Sequence, residues 1–306
     1  MTKNSEWPAF AVMGAGAVGG FFGAKLAKAG APVTFIGRPA FVAAVAHDGL
    51  LFEIGGRTEA VAVAATAEPS GVAGARYVLV CVKSGDTGAA AQAIAPHLAA
   101  DAVVLSLQNG VGNAERIRAQ ASCPVIPALV YAAAQMPKPG HVRHTGGGRL
   151  VIGGADRALL DEIVTLFARA DVPVTVSPDI DAELWTKLLT NCAYNAVSAL
   201  AMADYATMTA MPEVRGVMCA AAEETLRVAQ AKGVRVDPAV LDRLFDIAQA
   251  MPAQISSTAQ DIAKGKPTEI NDLNGAVVRE GEALGIATPV NRTLAALVRL
   301  LETKRG

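Results

Sequence analysis

The chain has 306 residues, 52% of them hydrophobic and 18% charged. Such a chain can bury a sizeable core as one large or two ordinary domains, and it is not a disordered tail. Its 27 Lys and Arg against 28 Asp and Glu leave a formal net charge of −1, which gives no electrostatic footprint for nucleic acid.

Cys81, Cys123, Cys192 and Cys219 are far apart in sequence. They have neither the paired spacing of a zinc site nor the density of a disulfide framework. They are read as buried thiols in a reducing compartment, and no metal is expected. Residues 1–8 are polar and include Glu6. The uncharged run 8–24 holds Gly14, Gly16, Gly19, Gly20 and Gly23, and the uncharged run 119–137 is broken by Pro124 and Pro127. Neither suits a signal core or an unbroken membrane helix, so a cytoplasmic protein with no membrane partner is expected.

In chain order, apolar runs at 10–13 and 33–36 read as strands around a helical pattern at 18–29, which Gly30 ends. Runs 51–54 and 60–63 flank Gly55-Gly56 as a hairpin. Further β-rich runs occupy 77–82, 103–107 and 125–128, with helical stretches between them. This alternation predicts a parallel sheet covered on both faces. Pro137, Pro139, Gly140 and the glycines at 146–148 then separate short strands near 130–135, 141–145 and 149–152, read as an antiparallel extension. Beyond Ser177-Pro178 the β signal stops. Segments 181–200, 212–232, 238–250, 253–263, 267–284 and 290–301 are helical patterns punctuated by Gly and Pro. These long apolar helices leave open packing within the chain or across a homodimer.

Gly14, Ala15, Gly16, Ala17, Val18 and Gly19 follow the first strand and open the first helix. The first glycine permits the tight turn, the second lets the backbone approach a pyrophosphate, and the third lets helix and sheet pack closely. The helix N-terminus presents N–H groups and a positive dipole end. A carboxylate at the end of the second strand would grip the ribose hydroxyl of NAD. None occurs from 33 to 45, and Arg38 stands there instead, suited to the 2′-phosphate of NADP. The expected architecture is therefore α/β: an N-terminal Rossmann-type doubly wound sheet with an antiparallel extension over residues 1–178, followed by an all-helical C-terminal domain over residues 179–306.

Ligands of open parallel sheets bind outside the carboxyl ends of the strands. Lys83 and Asn109 each follow such a strand. Taken singly, Lys83 is equally a surface lysine and Asn109-Gly110 equally a turn. In segment 181–200, Lys187, Asn191 and Asn195 recur every four residues on one helix face, among Leu184, Trp185, Leu188, Leu189, Cys192, Tyr194 and Val197. A surface ion pair with Glu183 would explain Lys187 but neither asparagine. Glu269 follows Pro267 and is placed near the third position of a helix, where a carboxylate also complements the helix dipole. Ser256-Ser257 reads as a helix start or a polar surface pair.

Together these features resemble the ketopantoate reductase (2-dehydropantoate 2-reductase) family. The resemblance runs from the glycine loop with Arg38 through Val82-Lys83, Gln108-Asn109-Gly110-Val111 and Pro139-Gly140-His141-Val142. It continues with Gly153, Trp185-Thr186-Lys187-Leu188, Asn191, Asn195, Ser257 and Pro267-Thr268-Glu269-Ile270-Asn271. It implies an NADP(H)-dependent reduction of a small 2-oxo acid, ketopantoate, to the 2-hydroxy acid, in the route to pantothenate and coenzyme A. Lys187 would be the general acid, and Glu269 would bind the substrate hydroxyl and help hold Lys187. Asn191, Asn195 and Ser257 would bind substrate. Lys83 and Asn109 would line the nicotinamide end of the site. The segment Ala203-Asp204-Tyr205-Ala206 lacks an asparagine often present in the family. A reductase of another branched or hydroxylated 2-oxo acid, or an NADP(H) sensor without catalysis, are the rival readings.

Overall fold

The computed structural model describes residues 7–304; of the polar start expected at residues 1–8, residues 1–6 lie outside them. The chain divides into two compact units. Residues up to 108 together with 112–180 form the first, and 109–111 together with the residues from 181 onward form the second.

The first unit runs β1 (Phe10–Met13), α1 (Ala17–Lys28), β2 (Val33–Ile36), α2 (Pro39–Asp48), β3 (Leu50–Ile54), β4 (Arg57–Val61) and β5 (Ala64–Thr66). It continues with β6 (Tyr77–Val80), α3 (Thr87–Ile94), β7 (Val103–Ser106), α4 (Asn113–Arg118), β8 (Val125–Lys138), β9 (His141–Ile152), α5 (Arg157–Arg169) and β10 (Val174–Val176). Strands β5-β2-β1-β6-β7-β8 are consecutive and parallel. Chain order therefore reverses between β1 and β6, the switch point at which doubly wound sheets bind ligands. Alternate residues serve opposite faces. Phe10 and Val12 pack with Phe21 and Phe22 of α1, whereas Ala11 and Val78 pack with Ala91 and Ile94 of α3. Both faces are thus buried, as parallel strands require.

Beyond β8 the pairing turns antiparallel at β9, which also carries β3 and β10, with β4 on the outer edge. The expected extension is present, but as two long strands in place of several short ones. Gly147 and Gly148 do not end β9. At φ +69° and +123° they let the strand bulge, and register shifts fall opposite them between Tyr131 and Ala134. The last two elements of this unit were not separately foreseen. Asp156 caps α5 by accepting from the amides of Ala158 and Leu159, and β10 then adds in parallel to β9.

The second unit is helical: α6 (Ile180–Ala201), which begins at the border, then α7 (Tyr205–Thr209), α8 (Pro212–Ala231), α9 (Asp246–Ala250), α10 (Ser257–Ala263), α11 (Asn274–Leu284) and α12 (Pro289–Thr303). Helix α6 is central. Trp185, Leu188, Leu189, Cys192 and Tyr194 enter one core, while Ala196 and Ala199 enter another. Burial on several sides explains why so little of this helix is charged.

Two helices expected as long are short. In segment 238–250 only α9 is α-helical; the Leu244 carbonyl accepts from the Tyr194 hydroxyl at 3.0 Å. In segment 267–284 only α11 is, because residues 268–273 are held in turns by side chains of α12. The Thr268 amide donates to Glu302 at 2.7 Å and Arg299 donates to the Asn271 side chain at 2.7 Å. Of the four thiols, Cys192 is buried, while Cys81, Cys123 and Cys219 are partly exposed, less enclosed than expected.

Candidate functional site

The glycine loop occupies the carboxyl end of β1, beside the switch point. Gly14 has φ +103°, and a Cβ there would meet the Val82 amide nitrogen at 2.5 Å. Gly14 is therefore pinned against Cys81 and Val82 just past the end of β6, next to Lys83, for conformational and steric reasons together. A Cβ on Gly19 would strike the Gly14 carbonyl and the Val12 side chain, so the helix approaches the sheet as closely as its missing side chain permits. A Cβ on Gly16 would meet nothing within 4 Å. Gly16 also forms the N-cap of α1, which no side chain caps and whose first turn holds no acid. An open cradle of backbone amides at the start of a three-turn helix fits a pyrophosphate.

Arg38 follows β2 on the same rim and is exposed. Gly37, just before it, lies so close to the loop that its Cβ would meet that of Ala15 at 2.8 Å. Lys83 is half-buried in the turn after β6, which ends at Val80 and not at the expected residue 82.

Beneath the turns after β6 and β7 lies a buried polar cluster that pattern reading missed. Gln108 donates to the Thr87 hydroxyl at 2.6 Å and accepts from Ser106 at 2.6 Å. The Thr87 hydroxyl lies 2.8 Å from the Ser84 carbonyl and 3.0 Å from Asn113 Oδ1. Each residue is an ordinary turn or helix-start type by itself, and their association depends on strands 20 to 30 residues apart. Satisfied networks of this kind rigidify the backbone that carries them.

In the second unit, Lys187, Asn191 and Asn195 share one side of α6. Lys187 directs its Nζ to Asn109 Oδ1 at 3.3 Å, and Asn109 Nδ2 donates to Glu269 Oε2 at 3.0 Å. An amide has one acceptor end and one donor end, so Asn109 accommodates an ammonium on one side and a carboxylate on the other. The three residues come from a strand end, a helix and a turn. Glu269 does not sit near the third position of a helix; it precedes α11 in the turn, where its carbonyl accepts from the amides of Asp272 and Leu273.

Asn195 is 4% exposed, yet among the described residues its side-chain amide has no hydrogen-bond partner, and neither has that of Asn191. Ser257 is exposed at the first position of α10. Its neighbour Ser256, not singled out from sequence as a ligand contact, caps α10 through the Ala259 amide and lies 3.2 Å from the Asn195 carbonyl, so α10 starts at the asparagine end of the stripe. Among the described residues no group of three or more His, Cys, Asp or Glu could hold a metal ion, and no helix is long and apolar enough to cross a membrane.

Two family descriptions match, "Ketopantoate reductase PanE/ApbA" over residues 10–157 and its C-terminal counterpart over residues 179–302. The chain belongs to the ketopantoate reductase family. Every candidate residue above falls within the two matched stretches. A 2-dehydropantoate 2-reductase of Halobacterium salinarum is 37% identical, covering 95% of this chain and 98% of that one. The solved structure of a PanE/ApbA family ketopantoate reductase from Ralstonia eutropha JMP134 is 48% identical and superposes with a TM-score of 0.93, covering 97% and 99% of the two chains. A D-mandelate dehydrogenase solved with NADH and anilino(oxo)acetate superposes with a TM-score of 0.90 at 22% identity, covering 97% and 99%. That last likeness is one of fold alone, and folds host more than one substrate.

Proposed function

We propose that this chain reduces 2-dehydropantoate to pantoate with NADPH, residues 1–178 holding the cofactor and residues 179–306 supplying the substrate groups. The observation that carries the reading is the Lys187–Asn109–Glu269 arrangement beside the unpartnered Asn195 amide. The Asn195 amide is not sealed off from solvent, so a polar ligand can take up its donor and acceptor. Curated relatives named 2-dehydropantoate 2-reductase support this choice of substrate. Gly14, Ala15, Gly16, Ala17, Val18 and Gly19 would cradle the pyrophosphate, Arg38 would pair with the 2′-phosphate, and Lys83 would face the same rim.

NADPH, when bound, supplies the hydride. Reduction then leaves negative charge on the former carbonyl oxygen. The Lys187 ammonium stabilises that charge and delivers its proton from Nζ. Asn109, accepting from Lys187, orients that ammonium while its other end is anchored by Glu269. Glu269 accepts from the substrate hydroxyl, and Asn191, Asn195 and Ser257 bind the remaining polar groups.

Oxidation of NADPH, followed by absorbance with ketopantoate and a panel of other 2-oxo acids, tests the reading. Turnover fastest with ketopantoate is expected, and no turnover with any 2-oxo acid would sink it. One feature favours a second reading, a different branched or hydroxylated 2-oxo acid. Tyr205, in the segment without the family asparagine, is buried against Tyr194 with ring centroids 4.6 Å apart, and residues 203–206 offer a substrate no side-chain amide.

A further inference from the structure

The second unit holds a buried polar node that takes no part in the chemistry above. Glu224 of α8 is 3% exposed, and Asn274 of α11 and Asn291 of α12 are fully buried. The Glu224 carboxylate accepts from the backbone amides of Val290 and Asn291, each at 2.9 Å, and from Asn291 Nδ2 at 2.8 Å. Asn291 Nδ2 also donates to the Ala221 carbonyl at 3.0 Å, and its Oδ1 accepts from Asn274 Nδ2 at 2.9 Å. Asn274 Nδ2 donates further to the Cys192 carbonyl of α6 at 3.0 Å. Four helices, α6, α8, α11 and α12, thus meet at one chain of hydrogen bonds.

The side chain of Asn274 keeps both donors engaged while its own Oδ1 is buried without a partner among the described residues. A leucine would fill the same space with no unmatched oxygen, so the donors are what the position requires. Cys192 sits on α6 between Asn191 and Asn195, one turn past Lys187. Asn274 directly follows the turn in which the amides of Asp272 and Leu273 bond to Glu269. One side chain therefore ties the helix bearing Lys187 to the turn bearing Glu269.

We propose that Asn274 is a positioning residue. Anchored through Asn291 to Glu224, it fixes the rotation and sliding of α6, and hence the distance from Lys187 through Asn109 to Glu269. On the reductase reading above, loosening this tie leaves cofactor binding intact and misplaces the proton donor. A shift of ~1 Å at a reacting group costs ~100-fold in rate.

The test compares the full-length protein with Asn274→Leu, which removes both donors at similar volume, and with Asn274→Ser, which retains one. Each is assayed for NADPH affinity, kcat and KM with the best 2-oxo acid, the pH dependence of kcat, and thermal unfolding. The expected result is unchanged NADPH affinity, kcat lowered ~10–100-fold in the leucine variant and less in the serine variant, and a displaced pH profile for kcat. Variants that fold and keep their kcat and pH profile while only Tm falls would overturn the proposal, as would failure of both to fold, which would make the node structural alone. A wild-type protein that reduces no 2-oxo acid would overturn the reductase reading, and this proposal with it; an active wild type beside unaffected variants overturns this proposal only.

Discussion

Lys187 and Asn109, 78 residues apart in sequence, meet at 3.3 Å, and the far end of the same asparagine donates to Glu269. On the proposed chemistry, Lys187→Ala removes both the proton and the positive charge that faces the developing alkoxide. General-acid loss lowers rate ~10²–10⁴-fold. Steady-state kinetics of the alanine variant should show kcat down at least ~100-fold, with the fold and NADPH affinity retained. Near-normal turnover in a folded variant would return Lys187 to a surface role.

Asn109 and Glu269 should act as a unit. Asn109→Ala removes the group between ammonium and carboxylate, and Glu269→Gln removes the carboxylate to which it is anchored. Groups in one network give interaction energies of ~0.5–3 kcal/mol in double-mutant cycles. The double variant should therefore lose less kcat/KM than the product of the single losses. Strict multiplicativity would mean that the bond at 3.0 Å contributes nothing to turnover.

Arg38 is exposed at the rim beside the glycine loop, and residues 33–45 contain no carboxylate. Its guanidinium should contribute ~1.5–3 kcal/mol to a 2′-phosphate contact. Arg38→Ala is expected to weaken NADPH ~10–100-fold and NADH little, measured by titration of cofactor fluorescence. Equal losses for both cofactors would remove Arg38 from phosphate reading.

Two glycines of one loop should fail in different ways. Gly19→Ala drives a methyl into the Gly14 carbonyl and Val12 and should destabilise the fold by ~1–3 kcal/mol. Gly16→Ala has room on the protein side and should unfold within ~0.5 kcal/mol of wild type, yet bind NADPH at least ~10-fold more weakly, because its methyl occupies the phosphate approach. Denaturant melts paired with cofactor titration separate the two. A Gly16→Ala protein of normal affinity would place the phosphates elsewhere.

Glu53 of β3 accepts from Arg143 at 2.8 Å and from His141 at 2.9 Å. The Arg143 hydrogen bond outweighs the opposing desolvation and, with smaller help from the Arg143 charge and from His141, holds the Glu53 carboxyl below its ordinary value of 4.5. A depressed carboxylate stabilises the fold above the unfolded-state value and stops doing so as pH falls through the folded-state value. Glu53→Gln should therefore lower Tm near neutrality, and the gap to wild type should close in acid, below the ordinary carboxylate range. A gap that stays constant across that range would show that Glu53 is not coupled to folding.

The features legible in sequence are those made within one or two adjacent elements. The strand, glycine loop and helix from Phe10 to Lys28 form a local unit, and the glycine at 19 follows from contacts with Gly14 and Val12 inside it, whereas Gly14 is also constrained by Val82 of a neighbouring strand end. The stripe Lys187, Asn191 and Asn195 needs only the helical repeat, and burial of both sheet faces follows from unbroken apolar strands. Tertiary structure alone decided what joins distant segments. Glu269 was expected in a helix because Pro267 and the following pattern favour one, but side chains of α12 bond the Thr268 amide and the Asn271 side chain, and these outweigh a propensity worth a few tenths of a kcal/mol per residue. Gly147 and Gly148 could end a strand or bulge it, and the partner strand β8 selects the bulge. The bridge from Lys187 through Asn109 to Glu269 and the node at Asn274 join residues 78, 160 and 82 positions apart. Hydrogen bonds of that span leave no periodic trace, because each partner is an ordinary polar residue until the fold buries it opposite the other.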